Sequence, residues 1–214
     1  MENRVSYDCK ARCARKVYLD SVRAICVCEH VYEPAEDTWL AIEAVKEIQG
    51  KCRSTLCVDV GAGTGVLGLQ CGAYGSYTVL IDVNPCAVYC SLLNSHRMGL
   101  DALVDVVQCD NITCIRCPSE GLVVYNTPYL PVKDKGLEGL AWSGGIHEAE
   151  RLARQVSACR RLKCVTLVYS SLSGSDKDVL DSLGSAGIAV RKKRLHVFFE
   201  DILVVYGCKE EERG

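Results

Sequence analysis

No apolar run in this chain approaches the roughly 18 residues that a membrane-spanning helix needs. The N-terminus is polar and has no hydrophobic segment of the secretory type. A cytoplasmic protein, able to enter the nucleus by diffusion, is therefore expected. Charge of one sign is lacking too: the net charge is -2 and the pI is about 6.1. That balance gives no general attraction to nucleic acid. Internal repeats and low-complexity segments are absent, which leaves 214 residues for one α/β domain with a core that needs no staples. Cysteine, by contrast, is plentiful, at 15 residues. A disulfide framework is unusual at this size without a secretion signal, so Cys57, Cys71, Cys90, Cys109 and Cys164 are expected to act as small buried hydrophobes. Cys114-x-x-Cys117 has metal spacing but supplies two of the four ligands zinc wants. Cys26-x-Cys28 is too tight to complete it, and no metal site is expected.

The chain is organised around residues 56–65, Leu-Cys-Val-Asp-Val-Gly-Ala-Gly-Thr-Gly. Leu56 to Val60 read as a strand buried on both faces. Gly61, Gly63 and Gly65 follow, then Val66, Leu67, Leu69 and Cys71 begin a helical pattern. Glycine lets backbone turn tightly and approach a ligand, and the helix behind offers free N–H groups and a positive dipole end. An ordinary turn is the bland alternative. The next strand, Tyr77–Ile81, ends in Asp82, a carboxylate that can accept both hydroxyls of a ribose. An adenosine-like cofactor follows, either NAD or S-adenosylmethionine.

Residues 1–30 are read as an N-terminal extension. Val5, Cys9, Cys13 and Val17 recur every four residues among Lys10, Arg12, Arg15 and Lys16, which allows a basic amphipathic helix on the domain edge. The domain proper is read over residues 31–214. Its first helix follows Pro34 and the acids Glu36 and Asp37, which suit a helix N-terminus, and ends at Gly50. Beyond the Gly-rich turn come a helix over Pro85–Met98, strands over Leu103–Cys109 and Leu122–Tyr125, a helix over His147–Leu162, a strand over Val165–Ser170 and a helix over Asp176–Leu183. Two final strands lie near Ile188–Leu195 and Ile202–Tyr206. This alternation predicts a doubly wound, Rossmann-like α/β fold: a mostly parallel sheet of seven strands with an antiparallel C-terminal hairpin.

Ligands of open α/β sheets sit beyond the carboxyl ends of the strands. Four strands here end in polar signatures: the glycine turn, Asp82, Asp110-Asn111 and Asn126-Thr127-Pro128-Tyr129. Asp82 suits ribose and Asp110 an adenine amino group. Asparagine is a poor general base but accepts a hydrogen bond from an –NH2 group and orients it. Pro128 stiffens the loop and turns nearby carbonyls into fixed acceptors, and Tyr129 supplies an aromatic wall. Methyl transfer to an aligned nitrogen needs no His, Cys or Lys nucleophile. With no hydride-acceptor site visible, S-adenosylmethionine is favoured over NAD. A Pro-rich turn after a strand is the bland alternative.

Three patches resemble the HemK-like amino-group methyltransferases, specifically the catalytic subunit acting on eukaryotic and archaeal translation termination factors. They are Tyr32-Glu33-Pro34-Ala35-Glu36-Asp37-Thr38, Val58-Asp59-Val60-Gly61-Ala62-Gly63-Thr64-Gly65, and Asn126-Thr127-Pro128-Tyr129 with Ala141-Trp142-Ser143-Gly144-Gly145. The resemblance spans about residues 30–207. It implies a heterodimeric enzyme that methylates the side-chain amide nitrogen of the glutamine in a Gly-Gly-Gln loop. By motif position, Thr38, Asp59, Gly61, Gly63, Gly65, Asp82, Asp110, Asn111 and Asn126 would contact the cofactor. Asn126, Thr127, Pro128 and Tyr129 would hold and align the amide. The family usually carries proline where this chain has Thr127, a position that contributes its backbone carbonyl.

The resemblance also implies a small zinc-binding activator as partner. Ala102 to Val107 should form the edge strand, apolar on both faces, with no proline or lysine to block pairing. Leu103, Val104, Val106 and Val107 are the expected contacts for an added strand, unless the N-terminal segment covers that edge. Arg191-Lys192-Lys193-Arg194 is the one strong charge run, either a solvated strand face or a dock for a large substrate. Two other functions stay open: methylation of lysines or of exocyclic amines of nucleic acid, and a non-catalytic cofactor-binding module.

Overall fold

The structure, a computed structural model, describes residues 9, 13–19, 24–130 and 143–210. Its centre is a seven-stranded sheet in the order β5-β4-β3-β6-β7-β9-β8. The strands are β3 (Leu56–Val60), β4 (Tyr77–Asp82), β5 (Val104–Gln108), β6 (Gly121–Asn126), β7 (Cys164–Ser170), β8 (Ile188–Val197) and β9 (Glu200–Lys209). Strands β3 to β7 pair in parallel, whereas β9 runs antiparallel to both β7 and β8. The order reverses between β3 and β6, which makes the ends of those two strands the switch point where a ligand crevice opens.

Helices α1 (Glu36–Cys52) and α2 (Val66–Ala73) cover one face, and α3 (Pro85–Arg97) packs beside α2 over β4 and β5. Helices α4 (Ile146–Ser157) and α5 (Lys177–Ser185) cover the other. Strand β6 shows why its sequence is apolar throughout: Leu122 and Val124 enter one core and Val123 and Tyr125 the other. Among the described residues no helix is long and apolar enough to cross a membrane.

The alternation of elements is as read from the sequence, with helix ends shifted: α3 ends at Arg97 and α5 runs over Lys177–Ser185. α1 continues past Gly50 to Cys52. α4 ends at Ser157, five residues before Leu162, because Cys159 and Leu162 close turns onto Val156 and Cys159 instead.

Among the described residues of the N-terminal segment no helix is found. Residues 15–27 contain a hairpin of β1 (Arg15–Tyr18) and β2 (Ala24–Val27), with Arg15 opposite Val27. Val5, Lys10 and Arg12 of the expected pattern lie outside the described residues. A buried amide of α3 anchors the hairpin. Asn94 Oδ1 accepts the Cys26 N–H (2.8 Å), while Asn94 Nδ2 donates to Cys26 O (2.8 Å) and Thr64 O (2.9 Å). This side chain satisfies both backbone groups of a buried strand residue, as a neighbouring strand would.

The cysteines also depart from expectation. Cys57, Cys71 and Cys90 are buried free thiols, but Cys9–Cys86, Cys13–Cys26, Cys117–Cys159 and Cys164–Cys208 are bonded pairs. Pairing needs proximity that spacing alone does not give. Cys164 lies opposite Cys208 only because β7 and β9 adopt that register. Cys117 bonds Cys159 and so does not join exposed Cys114 in a metal pair.

Candidate active site

The cleft begins at the Gly-rich turn. Gly61 has φ 61°, and a Cβ there would meet Tyr125 Cε2 at 2.8 Å. Gly63 has φ 55° and faces open space, so backbone is exposed to whatever occupies the cleft. Gly65 (φ 80°) is the N-cap of α2. Two carboxylates brace this turn through backbone donors. Asp82 Oδ2 accepts the Gly63 N–H (2.8 Å) and its Oδ1 the Asn84 N–H (2.8 Å). Asp59 Oδ2 accepts the Gly68 N–H (2.8 Å) in the first turns of α2. Burial raises both acids. Asp59 is pushed up to about 7, against the Gly68 hydrogen bond that lowers it and with the Asp82 charge adding to the rise.

The strand tips then line one cleft of about 310 Å³. Thr38, Asp59, Gly61, Gly63, Asp82, Asp110, Asn111, Asn126, Thr127, Pro128 and Tyr129 all border it; Gly65 sits behind, capping α2. Asp110 is the exception in role. Its carboxylate is held by Arg151 of α4 in a fork, at 3.0 and 2.9 Å, instead of standing free for an amino group. Asn111 has φ 56°. Its Oδ1 accepts the Ile112 N–H (2.8 Å), and its Nδ2 is buried with no partner.

At the other end stands a hub that the sequence did not single out as a site residue. Asp37 is 3% exposed, whereas its neighbour Glu36 points to solvent. Asp37 Oδ2 accepts from Asn126 Nδ2 (3.0 Å), Tyr32 Oη (3.2 Å) and Tyr129 Oη (3.2 Å). Its Oδ1 accepts from the Thr38 N–H and hydroxyl. Burial, then the Asp37 charge, push both phenols well above their usual range, so both stay protonated donors. A carboxylate only accepts. It therefore dictates which way the Asn126 amide points: Nδ2 toward Asp37 and Thr38 Oγ1 (3.3 Å), Oδ1 away. Asn126 Oδ1 is buried and has no partner. The only sequence signal for Asp37 was its place in the dense Tyr32–Thr38 patch.

The loop after Asn126 is clamped from several sides. Thr127 donates its N–H (3.2 Å) and its hydroxyl (2.6 Å) to Val168 O. The hydroxyl thus ties the loop to β7 with a fixed hydrogen bond. A Cβ on Gly144 would meet Pro128 O at 2.7 Å, and Ser173 Oγ donates to Tyr129 O (2.8 Å). Ala141 and Trp142 of the downstream motif lie outside the described residues. Glu200 from β9 borders the same cleft and was not foreseen.

These residues fit S-adenosylmethionine. Bare backbone at Gly63 faces open cleft, with carboxylates beside it at the strand tips. The orphaned Asn111 Nδ2 offers a donor. Asp59 positions the turn, and Asp82 keeps lone pairs for hydroxyl donors.

No family model matches the chain. It is 27% identical over 186 residues to a "Putative protein N5-glutamine methyltransferase" of Methanocaldococcus jannaschii, covering 82% of this chain and 90% of that protein. It is 31% identical over 100 residues to the release factor glutamine methyltransferase of Moorella thermoacetica, covering 46% of this chain and 35% of the relative. Methyltransferase HEMK2 of Homo sapiens is 30% identical over 136 residues, 58% of this chain and 62% of its own. The chain therefore spans about a third of the bacterial relative and under two thirds of the human one. Among solved structures, the E. cuniculi Mtq2–Trm112 complex, described as responsible for methylation of the eRF1 translation termination factor, superposes with a TM-score of 0.59 at 22% identity. It covers 85% of this chain and 99% of that one. The METTL16 methyltransferase domain superposes with a TM-score of 0.65 at 14% identity, covering 87% of this chain and 88% of that one. With the glycine cradle, the strand-tip carboxylates and the Asp37–Asn126 hub in one cleft, the chain is similar in sequence to the HemK-like N5-glutamine methyltransferases, and its site is that of an S-adenosylmethionine-dependent methyltransferase.

Proposed function

We propose that this enzyme methylates the side-chain amide nitrogen of the glutamine in the Gly-Gly-Gln loop of a class I translation termination factor. The observation that carries this is Asn126: its Nδ2 is tied to Asp37, and its buried Oδ1 is left as an acceptor without a partner. A planar carboxamide entering the cleft gives one N–H to that oxygen. Its second N–H goes to a backbone carbonyl of the Thr127–Pro128 turn, which Val168 and Gly144 hold rigid. Tyr129 packs alongside. Two acceptors on its protons draw electron density back onto an amide nitrogen that is otherwise a weak nucleophile. Bound S-adenosylmethionine supplies an electrophilic methyl group. Transfer then depends on alignment, and the proton leaves to solvent. The names of the relatives support glutamine as acceptor.

A small zinc-binding activator is proposed as partner. The related Mtq2 assembles with Trm112. Here β5 stands at the sheet edge, and the N-terminal hairpin packs against α3. Val104 points into the core and Val106 and Val107 are half-buried, which leaves the outer backbone for an added strand. A cytoplasmic enzyme with access to the nucleus, its catalytic unit in residues 31–214, completes the reading.

The test is transfer of labelled methyl to purified termination factor, with its loop glutamine intact or changed, with and without the activator. Label that needs both supports substrate and assembly together. Label independent of the glutamine moves the assignment to lysine or nucleic-acid amines; no label with cofactor bound favours a binding module. A normal complex formed by Val106→Lys would remove the edge-strand assembly.

A further inference from the structure

The hairpin between β8 and β9 ends in the most exposed large apolar residues of the described chain. Val197 pairs with Glu200, so the turn is just two residues, Phe198 and Phe199. They are 88% and 94% exposed. Phe198 also has φ 53°. A two-residue hairpin turn favours Asn or Gly at such a position, and an aromatic residue there costs free energy. Both rings are thus kept in water, and Phe198 sits on a backbone that does not suit it. An outlier of this kind points to use by something outside the chain.

The turn is held firmly. Asp201, next to Glu200, is paired with Arg194 (2.6 Å) and His196 (3.0 Å) across the hairpin, and its N–H donates to Ser171 Oγ (2.9 Å). The rings therefore sit on a fixed support. That support adjoins the cleft. Glu200, directly after Phe199, borders the cleft, and the Ser170 hydroxyl donates to its carboxylate. Leu172, 57% exposed, lies on the short 3-10 turn Ser171–Ser173. Ser173 of the same turn donates to Tyr129 O, the wall of the acceptor site.

We infer that Phe198 and Phe199, together with Leu172 on the 3-10 turn that packs against β9, dock the protein substrate on the flank of the loop that enters the cleft. This rests on the reading above that the acceptor is a side chain carried by a folded protein. Continuity selects that occupant: the patch joins the cleft through Glu200 and Ser173, so a molecule delivering a side chain past Tyr129 lies over it. Exposed aromatic anchors on rigid turns are typical centres of protein interfaces. Charge argues against an anionic membrane surface. Three of the four residues in the nearby basic run are paired within the chain, Lys192 with Asp176, Lys193 with Glu47 and Arg194 with Asp201.

The experiment compares the wild-type chain with F198N/F199S, each in the presence of the activator; asparagine suits the positive φ. Phe199→Ser alone serves if the double variant does not fold. Binding of the termination factor by biolayer interferometry and methyl transfer are measured separately, with whole factor and with a short Gly-Gly-Gln peptide. Expected are binding of the whole factor at least tenfold weaker, a KM raised to match, an unchanged kcat, and unchanged turnover of the peptide. Equal binding of the factor by both chains would overturn the docking role. So would an equal loss on the peptide, which would mean that the turn shapes the cleft itself. Wild-type self-association that disappears in the variant would also overturn it, by making a second copy the occupant. Wild-type binding without glutamine label ends the glutamine assignment and leaves the docking surface standing. Label with no loss of binding in the variant does the reverse, and neither binding nor label ends both.

Discussion

The two ends of the cleft are built on different principles. At the Gly-rich end, Asp59 and Asp82 hold backbone N–H groups of residues 9 and 19 positions further along or back, within one β-α-β unit. At the acceptor end, Asp37 holds side chains: Asn126 lies 89 positions away and Tyr129 lies 92 away. The first end is rigid because main chain is pinned by carboxylates. The second depends on three side chains, Asn126, Tyr32 and Tyr129, agreeing on one carboxylate oxygen. Damage at the first should appear in stability and cofactor affinity, and damage at the second in turnover.

The sharpest way to break that contrast is Asn126→Ala. It removes the free acceptor, so kcat should fall by about 10²–10³-fold, as for other lost transition-state contacts. Cofactor affinity, measured by calorimetry, should hold. Next is Asp37→Asn, which can both donate and accept and so no longer dictates the Asn126 amide. A lost charged hydrogen bond of about 1.5–3 kcal/mol predicts a fall in kcat of roughly 10- to 100-fold, with KM for the cofactor little changed. If cofactor binding collapsed instead, the two ends would not be separable.

Asn94→Ala tests the other end. Three buried hydrogen bonds are lost at once, one of them to Thr64 O in the turn. Unfolding in denaturant should show a destabilisation of about 2–3 kcal/mol. The smallest effect expected is that of Asp59→Asn, read as melting temperature against pH. Asp59 titrates near 7 in the folded protein and near the ordinary aspartate value when unfolded. Between about pH 4 and 7 the folded state holds the extra proton, so this group makes stability fall as pH rises, and the fall ends above 7. Asparagine still accepts from Gly68 and should flatten that slope. Asp82 is raised in the same direction and contributes the same sign.

Legibility followed the same division. The turn at Gly61–Gly65, the strand-tip acid Asp82 and the Asn126–Tyr129 motif could be read because local chemistry demands those residue types in order. Asp37 could not be separated from Glu36, since both suit a helix N-terminus and only folding buries one of them. Asp110 was read as free, but Arg151 is 41 positions away and reaches it only when α4 packs beside β5's end. The pairing of β1 with β2 is not legible in the sequence, because Cys13 and Val17 continue a period of four that imitates a helix and the Asn94 anchor lies 68 positions from Cys26. The disulfides were missed for a related reason: their partners are set by register.

The sequence by itself determined the doubly wound sheet, the glycine cradle and the polar motif at Asn126–Tyr129, because these rest on backbone sterics and on the hydrogen-bonding capacity of single residues. Only the tertiary structure decided which carboxylate fixes Asn126, which acid Arg151 occupies, which cysteines meet and what stands exposed at the mouth of the cleft. Each of those is a contact between distant segments, and such contacts exist only once the strands have taken their order and register.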